Sequence, residues 1–207
     1  AFQAHAHGLV MFSKVTGLTI EDGVTSIGNF SFENWISSKF LLIPDSVLSI
    51  GNSAFQNWTQ CESLVLPSNL KIISTSCFNN MQKLSELNFP SGIEEIQGSA
   101  FLNCSSISNK LTIPNLVKVI GASAFQGCIS IKNVTISSSI QNIANYAFRN
   151  CSALEEITVL NPVPPTITPL SFSGIPATCV FKVPSSSVDT YKAAPNWSAF
   201  ESQIVAI

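Results

Sequence analysis

The sequence predicts an α/β repeat solenoid of about seven coils of 23–24 residues, with short strands in one parallel sheet. Three observations predict it. Phenylalanine recurs at Phe32, Phe55, Phe78, Phe101, Phe125, Phe148 and Phe172, at spacings of 23, 23, 23, 24, 23 and 24 residues. An isoleucine stands five residues before each of them: Ile27, Ile50, Ile73, Ile96, Ile120, Ile143 and Ile167. An apolar pair at strand alternation follows nine residues after most of them: Leu41 and Ile43, Leu64 and Leu66, Leu87 and Phe89, Val134 and Ile136, Ile157 and Val159. Leu111 and Ile113 come one residue late. Single coils of this size cannot bury their apolar residues alone, so neighbours must stack.

Residues 1–17 are expected to be a lead-in or a degenerate first coil using Leu9, Val10 and Phe12. Residues 18–179 hold the repeats. Within a coil such as 64–84, Leu64-Val65-Leu66 reads as a strand with both leucines inward and Val65 outward. Proline ends the strand at once in several coils (Pro44, Pro67, Pro90, Pro114). A further apolar residue follows (Val24, Val47, Leu70, Ile93, Val117, Ile140), then the isoleucine, then a Ser/Ala-rich turn that delivers the phenylalanine and a short helical turn. Small residues before the phenylalanine (Ala54, Ala100, Ala124, Ala147) suit a close approach of coils, with Ser31 and Cys77 as departures. Residues 180–207 read as a last strand and a C-terminal cap, in which Val188, Tyr191 and Lys192 lie at helical spacing and Trp197 and Phe200 cover the last coil.

Composition narrows the function. Hydrophobic residues make up 45% and charged residues 11%, enough apolar surface to order the chain and too few charges for a disordered one. Net charge −2, with ten Lys and Arg scattered among twelve acids, gives no footprint for nucleic acid. No stretch approaches the roughly 20 apolar residues that span a bilayer. The chain opens at Ala1 rather than Met, which a processed export signal and a trimmed chain both explain.

The run strand-Pro-x-x-hydrophobic-x-x-Ile-Gly-x-x-Ala-Phe-x-Asn-Cys-x-x-Leu resembles the BspA-like leucine-rich repeats. Residues 50–58 (IGNSAFQNW), 120–128 (IGASAFQGC) and 147–154 (AFRNCSAL) match it closely, and the resemblance covers about residues 18–184. Val183-Pro184-Ser185 with Val188, Tyr191, Ala194, Trp197 and Phe200 resembles the terminal unit of such proteins in gut bacteria. The resemblance implies a right-handed leucine-rich-repeat superhelix, a bacterial secreted or cell-surface location, and roles in adhesion and host interaction.

Candidates for chemistry are few. Cys104, Cys128 and Cys151 share one repeat position, three after the phenylalanine, where Trp35, Trp58 and Met81 stand elsewhere. Cys61 takes a leucine or isoleucine position and Cys77 an alanine one, while Cys179 is the hardest to place. Free buried thiols are expected, without disulfides or zinc. His5 and His7 could share a metal but have no third ligand in view, so no metal or other cofactor is expected. The adjacent carboxylates Glu94-Glu95 and Glu155-Glu156 read as solvated edges. Asn-x-Ser/Thr occurs at Asn29, Asn57, Asn103, Asn133, Asn150 and Asn196, several within the corner of the coil. No cluster sets a nucleophile beside His and Asp, so an enzyme is not expected.

The candidate site is therefore the outer face of the strands: Thr19, Leu42, Val65, Asn88, Thr112, Thr135, Thr158 and finally Lys182. Leu42 and Val65 make a small apolar spot, and threonines dominate the later half. β-branched residues also suit any open strand face, without a ligand. The functional reading is a weakly charged contact surface of a monomer for a protein or a glycan on a host or neighbouring cell. A structural spacer without a ligand, and a glycan-capture module with Trp35 and Trp58 as stacking platforms, are the alternatives; the register of both tryptophans favours core or edge filling.

Overall fold

The computed structural model describes residues 16–108 and 110–207. Leu9, Val10, Phe12, His5 and His7 lie outside the described residues, and with them the expected lead-in up to residue 15.

Among the described residues fifteen short strands follow one another. They are β1 (Leu18–Thr19), β2 (Ser26–Ile27), β3 (Phe40–Leu42), β4 (Ser49–Ile50), β5 (Ser63–Val65), β6 (Ile72–Ile73), β7 (Glu95–Ile96) and β8 (Leu111–Thr112). Then come β9 (Val119–Ile120), β10 (Asn133–Ile136), β11 (Asn142–Ile143), β12 (Glu156–Val159), β13 (Thr166–Ile167), β14 (Val180–Val183) and β15 (Ile204–Ala206). They build two parallel ladders on the solenoid. The first holds the expected strands in two sections, β1-β3-β5 and β8-β10-β12-β14-β15. The second, which the sequence reading did not assign, runs through the isoleucine positions as β2-β4 and β6-β7-β9-β11-β13. Pairing is one coil to the next, as in Leu41↔Leu64, Val134↔Ile157 and Ile143↔Ile167.

The corner around each phenylalanine is made by turns rather than helix. The residue two before it takes left-handed backbone in all coils but the last, and the residue two after it in all seven, as at Ser53 (φ 53°) and Asn57 (φ 65°). The second position is Asn34, Asn57, Asn80, Asn103, Gly127, Asn150 or Gly174, the residue types that tolerate this region. At Gly127 a Cβ would overlap the Oδ1 of Asn103, so a side chain there would also meet the preceding coil. Earlier in the chain the asparagines bond instead: Asn57 Nδ2 donates to Asn34 Oδ1 at 2.8 Å, and Asn80 Nδ2 to Asn57 Oδ1 at 2.9 Å.

Between the ladders and the corners lies one continuous core. The seven repeat phenylalanines form an unbroken stack, with neighbouring ring centroids 5.3–5.8 Å apart. Ala54, Cys77, Ala100, Ala124 and Ala147 are fully buried beside them, which confirms the close approach expected there. At the C-terminal end, a short 3-10 turn leads into α1 (Val188–Ala193), the only α-helix among the described residues. A second 3-10 segment (Trp197–Gln203) and β15 then lay Trp197, Phe200 and Ile204 against Phe181 and Phe172. Tyr191 Oη and Trp197 Nε1, both on buried side chains, donate to the carbonyls of Asn161 (2.6 Å) and Pro165 (2.8 Å).

Candidate functional site

Alternation along the first ladder points the expected residues away from the core. Thr19, Leu42, Val65, Asn88 and Thr112 are exposed, and Thr135, Thr158 and Lys182 are half-buried. Register aligns them in two runs: Thr19 beside Leu42 beside Val65, and Thr112, Thr135, Thr158, Lys182 and Val205 in succession. Asn88 falls between the runs, in a segment that forms no strand.

A second outward column stands two residues earlier along each strand. In it Phe40 lies beside Ser63, and Asn133, Glu156 and Val180 lie side by side. Phe40 is 54% exposed, its ring lying across Gly17, where an added Cβ would come within 3.0 Å. With Leu42 and Val65 it enlarges the apolar spot at the first end of the face. The same i, i+2 rule that placed Leu42 would have found Phe40.

Towards the other end the face is polar. Thr158 Oγ1 donates to Glu156 Oε1 at 2.9 Å, and Lys182 Nζ sits 2.7 Å from Glu156 Oε2. The lysine, first, and the threonine hold the Glu156 carboxyl below its ordinary range against some loss of solvation. On the other side of Thr158, Thr135 Oγ1 is covered by its neighbours and has no hydrogen-bond partner.

The remaining candidates are structural. All six cysteines are buried and free of disulfides. Cys104, Cys128 and Cys151 donate their thiols to the carbonyls of Phe78, Phe101 and Phe125 at 3.2–3.3 Å. Burial pushes their thiols up, to about 12 for Cys104 and Cys151. Trp58 is buried and so is no stacking platform, while half-buried Trp35 packs one face parallel to it at 6.0 Å. Glu94 and Glu155 pair with Lys71 and Lys132 of the preceding coils at 3.1 Å, exposed contacts that steady the edges only slightly. Among the described residues no group of three His, Cys, Asp or Glu is placed to hold a metal ion. Likewise, no described helix is long and apolar enough to cross a membrane.

No match was found among the curated proteins. Among solved structures, a leucine-rich repeat protein of T. pallidum is similar, with 27% identity over 68% of this chain and 70% of that one and a TM-score of 0.63. One from Bacteroides ovatus shares 25% identity over 81% of this chain, also with a TM-score of 0.63. This chain spans only 46% of that protein. A leucine-rich cell surface protein of Faecalibacterium prausnitzii, at 21% identity over 84% of this chain and 63% of that one, shares the fold with a TM-score of 0.57. The profile of the BspA type leucine rich repeat region matches in six copies, over residues 10–110 and 105–194. The stacked phenylalanines, the parallel ladders and this match agree: the chain belongs to the BspA-type leucine-rich-repeat family.

Proposed function

We propose that the chain is a non-enzymatic, secreted or surface-displayed binding protein that holds a macromolecular partner on its strand face, as an adhesin or part of one. The observation that carries this reading is the face itself. Five strands from β8 to β15 keep one register, and their outward side chains run from Thr112, Thr135 and Thr158 through Lys182 to Val205. Solenoids recognise partners on such extended stacked surfaces. Phe40, Leu42 and Val65, each about half exposed, add the apolar area that protein contacts favour. The bacterial surface protein among its structural neighbours supports the proposed location. In this reading residues 180–207 close the C-terminal end, since Trp197 and Phe200 cover the last coil's Phe172 and Phe181.

The test is binding of the purified chain to an array of matrix proteins and purified glycans. Saturable binding to at least one of them is the expected result. Silence from a folded chain would overturn the reading in favour of a structural spacer.

A further inference from the structure

Among the described residues the first ladder is interrupted once. β5 and β8 belong to separate sections, and residues 86–89 between them form no strand. Two departures from the repeat coincide there. The coil from Phe101 to Phe125 has 24 residues, and its extra residue falls immediately before β8, which delays Leu111. The coil from Phe148 to Phe172 is also 24 residues long, yet β12 and β14 still pair across the additional residue. Length alone therefore does not break the ladder. The other departure is Phe89, which stands where Ile43, Leu66, Ile113, Ile136 and Val159 are all buried. Phe89 is only half-buried, its ring meeting Phe101 and Phe125 edge-on at 5.6 and 6.4 Å.

The result is a recess of about 290 Å³ in the middle of the strand face. Phe89 and Pro114 supply its apolar wall; Asn88, Lys110, Thr112 and Asn115 supply polar groups. Departures from an otherwise consistent pattern concentrate at functional sites. The space is below the range of pockets for drug-sized ligands, so it suits a single small unit of a larger ligand.

We propose that this recess is a subsite for one neutral sugar unit, which makes the ligand of the strand face a glycan. The inference rests on the strand-face reading above. Asparagine amides and a threonine hydroxyl both donate and accept, as sugar hydroxyls require. Phe89 and Pro114 supply apolar surface for the C–H side of a pyranose. An anionic ligand fits less well. Among the described residues Lys110 is the one charged residue lining the recess, and an exposed lysine is screened by water. The chain's single arginine, the residue type suited to clamping a carboxylate, packs over Tyr146 instead.

The test is a ¹H–¹⁵N NMR titration of the chain with the methyl glycosides of glucose, galactose, mannose and N-acetylglucosamine, and with glutamate as the anionic control. Concentrations up to roughly 50 mM reach a millimolar site. Saturable shifts confined to residues 87–91 and 110–115 are expected with at least one sugar. Asn88→Ala and Asn115→Ala should each weaken that binding about tenfold, the effect of losing one good hydrogen bond. Phe89→Ile, which restores the usual repeat residue, should weaken it while leaving the fold intact. Shifts with glutamate alone, shifts only elsewhere, or none with any sugar would overturn the subsite. Partner binding that survives those three substitutions but is lost on Thr135→Lys and Thr158→Lys would sink the subsite and leave the strand-face reading standing.

Discussion

The indole Nε1 of Trp58 donates a 2.6 Å hydrogen bond to the carbonyl oxygen of Phe32, one coil back. The thiols of Cys104, Cys128 and Cys151 do the same for the phenylalanine carbonyl of their own preceding coils. At this repeat position tryptophan and cysteine are both apolar bodies with a donor at the right end, while Met81 fills it by packing alone. Removing the donor removes one buried hydrogen bond. Trp58→Phe should therefore cost about 0.5–1.5 kcal/mol, read as a lower urea midpoint with an unchanged slope.

The phenylalanine stack is the spine of the core, and its central members have aromatic neighbours on both sides. Phe101 lies 5.5 Å from Phe78 and 5.6 Å from Phe125 and is fully buried. Phe101→Ala should cost about 3–5 kcal/mol, because the coils above and below cannot both collapse into the gap. Chemical denaturation measures it; a loss below about 1 kcal/mol would mean that the coils close over the gap.

Much of this was legible in the residues themselves. Seven phenylalanines in register announce a stack, and cysteines that share a position with Trp58 and Met81 announce core rather than chemistry. The outward positions from Thr19 to Lys182 followed from simple alternation. What escaped was smaller in scale. A two-residue strand such as Ser49–Ile50 has no alternation to read, so the second ladder showed only as a column of isoleucines. The left-handed turn at Ser53 carries no glycine to mark it. Phe89 looks like any inward apolar residue until its neighbours fail to enclose it. Phe40 was within reach, two residues before Leu42 on the same face.

Thr135 gives a prediction of opposite sign. Its hydroxyl is covered and has no partner. Thr135→Val keeps the shape and removes the polar atom, so the variant should be as stable as the parent or more so, by up to about 1 kcal/mol. Thermal melts at matched concentration check this, and a clear drop in Tm would mean that the hydroxyl has a partner in solution.

The buried thiols tie stability to pH. Cys77, Cys104, Cys128 and Cys151 all have their titration pushed above the ordinary thiol value of 9.0 by burial. The folded state then keeps protons that the unfolded state loses, so stability must fall as pH rises. The fall begins near pH 9, where unfolded thiols ionise, and continues up to the raised folded values, about 12 for Cys104 and Cys151. Each thiol contributes about 1.4 kcal/mol per pH unit within that window. Urea midpoints between pH 8 and pH 10.5 should decline steeply, and a Cys128→Ala variant should decline less. At pH 8 the folded chain should resist iodoacetamide, whereas the urea-unfolded chain should label at all six cysteines.

Recognition is proposed to lie on the strand face. The most direct measurement is a titration of the strongest array ligand with the parent chain and with Thr112→Lys, Thr135→Lys and Thr158→Lys combined, alongside circular dichroism of both. Saturable binding by the parent is expected, with at least a hundredfold loss in the variant, about 2.7 kcal/mol, and both chains folded. Equal affinity of the two would contradict it and move recognition to another surface.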